Sequence, residues 1–510
     1  MKRRFFSLFF IYIVAANITL WIASQVFGLL IKGLFDIEFV IIGILSAFLR
    51  RTLIVGLLLV AILLDLFAAI CRTYLLSPSD LLRNARFFWD FAPSHLWEIA
   101  AITVCIAAIC LAATLADRRR PASRESISDV LALGVFIILC GVVDITTKHT
   151  ELFRQDSFSN SLRLTRTPTH ELAMGALQHG PTPAMPGTNA RVASASGRLV
   201  GFDPGSRSLT RTAMLPNLVL VLVESWGKPL AADIDEALVR PYSDNDVEEK
   251  YSVSRGSVPF YGPTVDGEAR ELCGSAIGFG VLTASAADLK GCLPAKLHAM
   301  GYRSMAVHGF SSRMFDRGEW YSRMGFDETW FREQFQQQGL PRCPGPLPGT
   351  CDAAISAWIG DQLQRSSDSA QFIYWVTLNS HLPVPIPNLV EAPPPCSSTI
   401  STAKNPPLCS WYQLEFNVHR SVAELAKRST ARPTIFVIVG DHAPPFSSSE
   451  LRSEFSNRVV PYILLMPKTN GSREAVQAIH PPVVATHEPA KPPKLRLKKD
   501  KIPSHSPAVG

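Results

Sequence analysis

Apolar residues crowd into long uninterrupted runs before residue 146, and beyond it they return as short bursts between polar or amphipathic stretches. The first run, residues 5–31, is almost free of charge and exceeds the roughly 20 residues a membrane-crossing helix needs. Its length, and the lack of a small-residue cleavage site after it, argue for an anchor over a cleaved signal peptide. Four more candidate spans lie at 35–49, 52–72, 96–115 and 128–146, the second of them short. The pattern predicts an N-terminal transmembrane domain of about five helices over residues 1–146. Between the third and fourth spans, residues 76–97 alternate apolar and polar positions and include Phe87, Phe88, Trp89 and Trp97. That pattern suits a helix lying on the outer leaflet, and equally an ordinary loop.

Residues 147–215 are rich in Thr, Pro, Ser and Gly with little periodicity, and read as a linker. After Pro216 the pattern changes. Asn217 to Val223 is a continuous run of leucine, valine and one asparagine, of strand length, as expected of a strand buried on both faces in a parallel sheet. Four comparable runs come later: Tyr302 to Val307, Phe372 to Leu378, Thr434 to Val439 and Val459 to Met466. Helix-like stretches lie between them, Gly291 to Met300 and Asp352 to Gln364 among them. The alternation predicts an α/β domain with a mainly parallel sheet over residues 216–468. Residues 469–510 are basic and proline-rich and lose apolar periodicity, so a disordered tail is expected.

Composition and charge place these parts. The chain has 510 residues, 47% of them apolar, with a formal net charge of +7. The positive charge does not indicate nucleic acid, because it clusters as Lys2-Arg3-Arg4, Arg50-Arg51, Arg118-Arg119-Arg120 and in the C-terminal tail. The first three clusters flank apolar runs, and with five crossings all three fall on the cytoplasmic side. Everything after the fifth span is then outside. Counting the short second candidate as re-entrant would invert the sidedness of every later segment, and the arginine pattern argues against that. Cysteines agree with this sidedness. Cys71, Cys105, Cys110 and Cys140 lie in the spans, where thiols behave as small apolar groups. The other six come after the fifth span, and an even number in an oxidising compartment suggests disulfides, with Cys273–Cys292, Cys343–Cys351 and Cys396–Cys409 as the expected pairs of the 15 connectivities that six cysteines permit. No cysteine spacing matches a zinc ribbon.

In open α/β sheets ligands bind beyond the carboxyl ends of the strands. The polar residues there are Glu224, His308, His381 and the pair Asp441-His442. Each alone reads as a solvated carboxylate, a turn or a satisfied histidine; four strand ends converging do not. Glu224, Asp441 and His442 offer two carboxylates and an imidazole, a donor set suited to Zn²⁺ or Mn²⁺ with a coordination position left for a reacting group. Thr264 follows a Gly-Pro turn at a helix start, where unpaired N–H groups favour negative charge. By its residues alone it reads as a helix cap.

Five blocks resemble the alkaline phosphatase-like (sulfatase-like) superfamily, in its branch of lipoteichoic acid synthases, phosphoglycerol transferases and phosphoethanolamine transferases. They are Asn217 to Trp226 (NLVLVLVESW), Gly262 to Leu272 (GPTVDGEAREL), His308 to Phe326 (HGFSSRMFDRGEWYSRMGF), Thr377 to Pro383 (TLNSHLP) and Val439 to Ala443 (VGDHA), in the family's order, within residues 217–467. The five-span anchor fits as well. The resemblance implies that Glu224, Thr264, Asp441 and His442 bind one divalent cation, Mn or Zn, and that Thr264 is the nucleophile. It implies substrate contacts from Arg317 and His381, with His308 and Phe315 in the same pocket. The implied activity is transfer of a phosphoglycerol or phosphoethanolamine group from phosphatidylglycerol or phosphatidylethanolamine to a glycan or glycolipid, through a phosphothreonine. The implied place is a bacterial inner membrane, with the catalytic domain in the periplasm.

The donor branch stays open. Ala443-Pro444-Pro445-Phe446 follows the Asp-His pair where phosphoethanolamine transferases often carry a further histidine a short way on, and the Thr264, Asp266, Glu268 pattern is nearer the phosphoglycerol branch. Cys292-Leu-Pro-Ala-Lys296 falls one residue short of the Cys-x-Pro-x-Arg segment that sulfatases convert to formylglycine. A hydrolase using the same site, and a membrane scaffold without chemistry, are the rival classes.

Overall fold

The structure is a computed structural model, and it describes residues 14–27, 33–46, 48–73, 78–84, 126–146, 165–178, 192–197, 215–260, 262–365, 369–382, 406–446 and 449–468. In the N-terminal part these residues form helices α1 (Ala16–Phe27), α2 (Ile37–Leu45), α3 (Arg51–Thr73), α4 (Pro78–Asn84) and α5 (Ser126–Thr146). Helix α3 is apolar all round and leaves Leu53, Leu57, Leu59, Val60 and Leu63 exposed, the surface of a helix that meets lipid or a partner rather than water. Its segment Thr52–Arg72 is the one stretch among the described residues long and apolar enough to cross a membrane, and Leu131–Val143 of α5 is a shorter apolar helix.

Among the described residues one clear apolar helix is seen where five were expected. The second candidate span is the nine-residue α2, capped by the Asp36 carboxylate on the Glu38 N–H. At about 1.5 Å per residue it covers less than half of a hydrocarbon core of about 30 Å, so counting crossings no longer places the C-terminal part outside, and its disulfides are what favour that side. The candidate at 96–115 and the cysteines within it lie outside the described residues. So do residues 5–13 and 28–31 of the first span, and all but residues 78–84 of the interfacial segment.

The stretch read as a linker contains ordered pieces. Thr165–Arg166 pairs in parallel with Phe35–Asp36, and α6 (Pro168–Gln178) packs on α3 and α4. Arg166 is buried. Its guanidinium donates to Asp65 Oδ2 at 2.7 Å, to the Gly33 carbonyl at 2.7 Å and to Asn17 Oδ1 at 2.9 Å. A carboxylate inside an apolar helix is tolerated where a cation meets it, and Arg166 supplies that cation from 101 residues away.

The C-terminal part is built on one seven-stranded sheet. Its strands are β1 (Asn217–Val223), β2 (Tyr251–Pro259), β3 (Arg303–His308), β4 (Glu328–Trp330), β5 (Gln371–Val376), β6 (Thr434–Gly440) and β7 (Val459–Pro467), in the spatial order β2-β7-β6-β1-β5-β3-β4. From β6 to β4 all pairs are parallel. β7 and β2 add an antiparallel edge. All seven residues of β1 and of β6 are buried, as continuous apolar runs demand. The edge strands β2 and β4 carry too many polar residues to stand out in the sequence.

Register positions the chemistry. Gly440 pairs with Val223, Leu222 with Val376, and Val376 with His308. Glu224, Asp441, Thr377 and His308 therefore emerge along one rim. Gly440 is required there, because a Cβ would lie 2.0 Å from the Trp226 carbonyl oxygen. Two of the expected disulfides are formed, Cys273–Cys292 and Cys343–Cys351. Cys409 is also disulfide-bonded, and its expected partner Cys396 lies outside the described residues. Cys71 and Cys140 are buried.

Candidate active site

Glu224 leaves β1 through a sharp turn at Ser225, whose φ of 59° lies in the left-handed region. Strain of this kind in a non-glycine residue marks a place the surroundings over-determine. Here the surroundings are explicit. The Ser225 N–H donates to Asp441 Oδ1 at 2.8 Å, its hydroxyl donates to Glu224 Oε1 at 2.9 Å, and its carbonyl accepts from Trp411 Nε1 at 3.0 Å. Ser225 thus ties the ends of β1 and β6 together. Nothing in the sequence distinguishes it from any other serine after a strand.

Helix α7 (Thr264–Cys273) approaches this turn with its N-terminus. Gly267 permits the approach, since a Cβ there would meet the Asp441 backbone and Cβ at about the closest distance real contacts allow. Thr264 is 7% exposed. Its hydroxyl does not cap the helix; Pro263 stands at that position without a side-chain bond. The hydroxyl donates instead to Glu224 Oε2 at 3.0 Å.

Ligand atoms of Glu224, Asp441 and His442 all lie within 4.8 Å of one another, and all three residues are buried. His442 Nδ1 faces the Ala443 carbonyl at 2.9 Å. A proton on that nitrogen leaves the Nε2 lone pair turned to the carboxylates, 3.4 Å from Asp441 Oδ2 and 3.6 Å from Glu224 Oε1. Asp441 Oδ1 is satisfied by the N–H groups of Ser225 and His442. Asp441 Oδ2 is buried with no hydrogen-bond partner. A bare carboxylate oxygen opposed to an imidazole lone pair is costly away from water unless a cation lies between them. Burial, then the charge of Glu224, raise the Asp441 carboxyl well above its ordinary range, a strain that a bound cation relieves. Burial also works to raise Glu224, but His381, His442 and the two hydroxyl bonds outweigh it and bring its pKa down to about 2. The donor set fits a divalent cation of the Zn²⁺ or Mn²⁺ type.

The remaining expected residues surround this cluster. His308, 4% exposed, holds its Nδ1 against the Val376 carbonyl at 3.1 Å. Burial, and then Arg317, bring its pKa down to about 3. His381 sits within electrostatic reach of Glu224 and His442, its Nδ1 2.7 Å from the Leu382 carbonyl, and burial lowers its pKa. Arg317 opens helix α8 (Arg317–Met324) and lies 5.1 Å from the Phe315 ring centroid. Phe315 and Asp316 both have positive φ, 56° and 52°, so the chain is strained just where it presents Arg317. Sequence reading missed Glu268 as the partner of this arginine. Glu268 accepts from Arg317 at 2.8 and 2.9 Å, from Tyr374 at 3.3 Å and from Tyr321. Its place one turn after Thr264 was the available signal.

The near miss to a sulfatase segment is settled by a bond. Cys292 is joined to Cys273, the last residue of the Thr264 helix, so its sulfur is not free for conversion to formylglycine.

A family model for sulfatases matches residues 216–487, more than half of the chain. No curated protein sequence matches. Among solved structures, a protein of the alkaline phosphatase superfamily from Vibrio parahaemolyticus is 16% identical, with 50% of this chain and 61% of that one covered and a TM-score of 0.35. The lipoteichoic acid synthase LtaP from Listeria monocytogenes is 15% identical, with 50% and 66% covered and a TM-score of 0.35. The lipooligosaccharide phosphoethanolamine transferase A (EptA) from Neisseria meningitidis, an integral membrane protein, is 11% identical, with 86% and 81% covered and a TM-score of 0.39. The chain spans less than two thirds of the first two of these proteins. With TM-scores this low, the chemical reading rests on the site's own geometry. The family match is of another kind: it takes in the buried Glu224, the helix that begins at Thr264 and the Asp441-His442 pair, and the chain belongs to the sulfatase family.

Proposed function

We propose that the protein is a membrane-anchored, metal-dependent transferase. It moves a phosphoglycerol or phosphoethanolamine group from phosphatidylglycerol or phosphatidylethanolamine to a glycan or glycolipid outside the cytoplasmic membrane. The observation that carries the reading is the Thr264 hydroxyl, directed at Glu224 Oε2 beside a buried two-carboxylate, one-imidazole cluster. With Cys292 locked in a disulfide, this threonine is the nucleophile the site offers, and a hydroxyl suits phosphodiester attack.

Glu224, Asp441 and His442, with the Thr264 oxygen, would hold the cation, which supplies charge neutralisation at the phosphoryl oxygens and lowers the pKa of a coordinated hydroxyl. Thr264 Oγ1 forms a bond to phosphorus as the bond to the diacylglycerol oxygen breaks, and its proton passes along the existing hydrogen bond toward Glu224. Diacylglycerol leaves with a proton delivered from the His381 side. The acceptor hydroxyl then attacks the phosphothreonine: its oxygen bonds to phosphorus as the Thr264 Oγ1–phosphorus bond breaks, its proton passes to the His381 side, and Thr264 Oγ1 takes back the proton from the Glu224 side. The helix N-terminus behind Thr264 favours the charge that develops, and Arg317, His308 and Phe315 line the substrate side. Phosphoryl transfer asks mainly for such positioning and charge stabilisation.

The apolar helix Thr52–Arg72 suits an enzyme whose donor is itself a lipid. The test is incubation of the purified chain with labelled phosphatidylglycerol or phosphatidylethanolamine, and then mass analysis of the peptide bearing Thr264. A glycerophosphate or phosphoethanolamine adduct is expected. Release of labelled head group to water alone, with or without added glycans, would make the protein a hydrolase. Full cellular function after Thr264→Ala would make it a scaffold.

A further inference from the structure

One buried acid outside the metal cluster is hydrogen-bonded to the turn that leads to His381. Strand β5 ends at Val376, and the chain then turns through Thr377, Leu378, Asn379 and Ser380 to His381. Asp352, 2% exposed, is the first residue of α9 (Asp352–Gln364). Its carboxylate accepts the Leu378 N–H at 3.0 and 3.1 Å and the Asn379 N–H at 2.7 Å. The bond is returned, since the Asn379 side chain accepts the Asp352 N–H at 2.7 Å. Carboxylate bonds to backbone N–H groups are among the strong ones, and this reciprocal lock grips the turn at its middle.

On either side of the gripped pair, the same turn holds Glu224. Thr377 Oγ1 accepts the Glu224 N–H at 2.9 Å, and the Ser380 hydroxyl donates to the Glu224 carbonyl at 2.5 Å. The His381 N–H closes back on the Leu378 carbonyl at 3.1 Å. A shift of Leu378 and Asn379 would therefore move His381 and loosen both backbone bonds of the metal-site glutamate. The start of α9 is itself fixed. Cys351 precedes Asp352 and is bonded to Cys343, and the Thr350 N–H donates to the Gly309 carbonyl next to His308.

We propose that Asp352 is a positioning residue for the reaction: through the Leu378–Asn379 turn it sets the His381 imidazole and, less directly, the Glu224 carboxylate. This rests on the transferase reading. Asp352 touches no reacting atom. Its contribution is to place the group that protonates the departing oxygen.

The two halves of that role separate by leaving group. Diacylglycerol departs as a poor alkoxide and needs a proton; 4-nitrophenolate departs without one. Full-length wild type, Asp352→Asn and Asn379→Ala are assayed for diacylglycerol release from the phospholipid donor, phosphatidylglycerol or phosphatidylethanolamine, and for 4-nitrophenol release from bis(4-nitrophenyl) phosphate. Both variants are expected to lose kcat on the lipid by about 10- to 100-fold, the scale of a misplaced acid, and by only about 3-fold on the aryl ester, where the acid is not needed, with KM little changed. The double variant is expected to lose no more than the worse single one, because the residues form one lock. Asp361→Asn, on the exposed side of the same helix, serves as control. Equal losses on both substrates, or none, overturn the proposal. If Asp352→Asn does not fold, Asn379→Ala decides alone. A wild type that cleaves neither substrate, or a Thr264→Ala that cleaves both, overturns the transferase reading and this inference together; an active wild type with a dead Thr264→Ala and an unaltered Asp352→Asn overturns only the inference.

Discussion

The Arg317 guanidinium lies 2.8 Å from the Glu268 carboxylate, and both side chains are almost wholly withdrawn from solvent. Burial works against the charge on Arg317, and Glu268 more than restores it, so its pKa is raised. Removing one member of such a pair leaves an uncompensated charge in the interior, at a cost of about 3–5 kcal/mol. Glu268→Gln is therefore expected to lower the denaturant midpoint strongly. The double substitution Glu268→Gln with Arg317→Met is expected to recover part of that loss, since the orphaned charge goes too.

Thr264→Ala is expected to abolish the covalent adduct and to lower donor cleavage by at least about 10³-fold. Metal content is expected to fall much less, because Glu224, Asp441 and His442 remain. Turnover and metal analysis on the same preparation check both halves.

Asp441 Oδ2, buried without a hydrogen-bond partner, is the clearest mark of a site that could hold a cation. Addition of Zn²⁺ or Mn²⁺ to chelator-stripped protein is expected to raise the melting temperature, by about 3 kcal/mol in stability terms at a hundredfold excess over Kd. Asp441→Asn is expected to remove the shift. Thr264→Val is expected to reduce it.

His419 predicts acid lability. It is fully buried, meets the Tyr242 hydroxyl at 3.1 Å and packs edge-on against Trp226, two residues beyond Glu224. Burial, then Arg255, bring its pKa down to about 3 from 6.5. The unfolded chain thus takes up this proton first. Above pH 6.5 the group is neutral in both states and costs nothing; as pH falls from 6.5 toward 3, proton uptake on unfolding removes stability. Unfolding midpoints measured across that window should decline less steeply in His419→Phe than in the wild type.

The Cys273–Cys292 bond closes a loop of 19 residues between the Thr264 helix and the helix Leu293–Ala299. Loop-closure entropy of that size is about 3 kcal/mol. Cys273→Ser with Cys292→Ser is expected to lower the unfolding midpoint accordingly, in non-reducing conditions.

The parallel core strands were legible because strands buried on both faces are written as unbroken apolar runs, and Asn217–Val223 coincides with the observed strand to the residue. The edge strands Tyr251–Pro259 and Glu328–Trp330 were not, since half-exposed strands carry serine, arginine and glutamate. Span counting failed at Ile37–Leu45 because hydropathy measures apolar length, whereas the helix there begins only after the Asp36 cap. The segment around Arg166 read as linker because nothing local shows that its arginine answers Asp65 inside an apolar helix.

In the site, composition and order along the chain already held the strand-end residues Glu224, His308, Asp441 and His442, since a polar residue closing an apolar run stands at the rim of a sheet whatever its neighbours are. Thr264 needed a family pattern, because a hydroxyl after a Gly-Pro turn is chemically ambiguous. The fold alone turned that hydroxyl from a helix cap to Glu224, bent Ser225 into a tie between two strands, paired Arg317 with Glu268 and set Asp352 against the turn that carries His381. Each of these depends on strand register and on how closely two backbones approach. Those are properties of packed elements far apart in the chain, and no local run of residues encodes them.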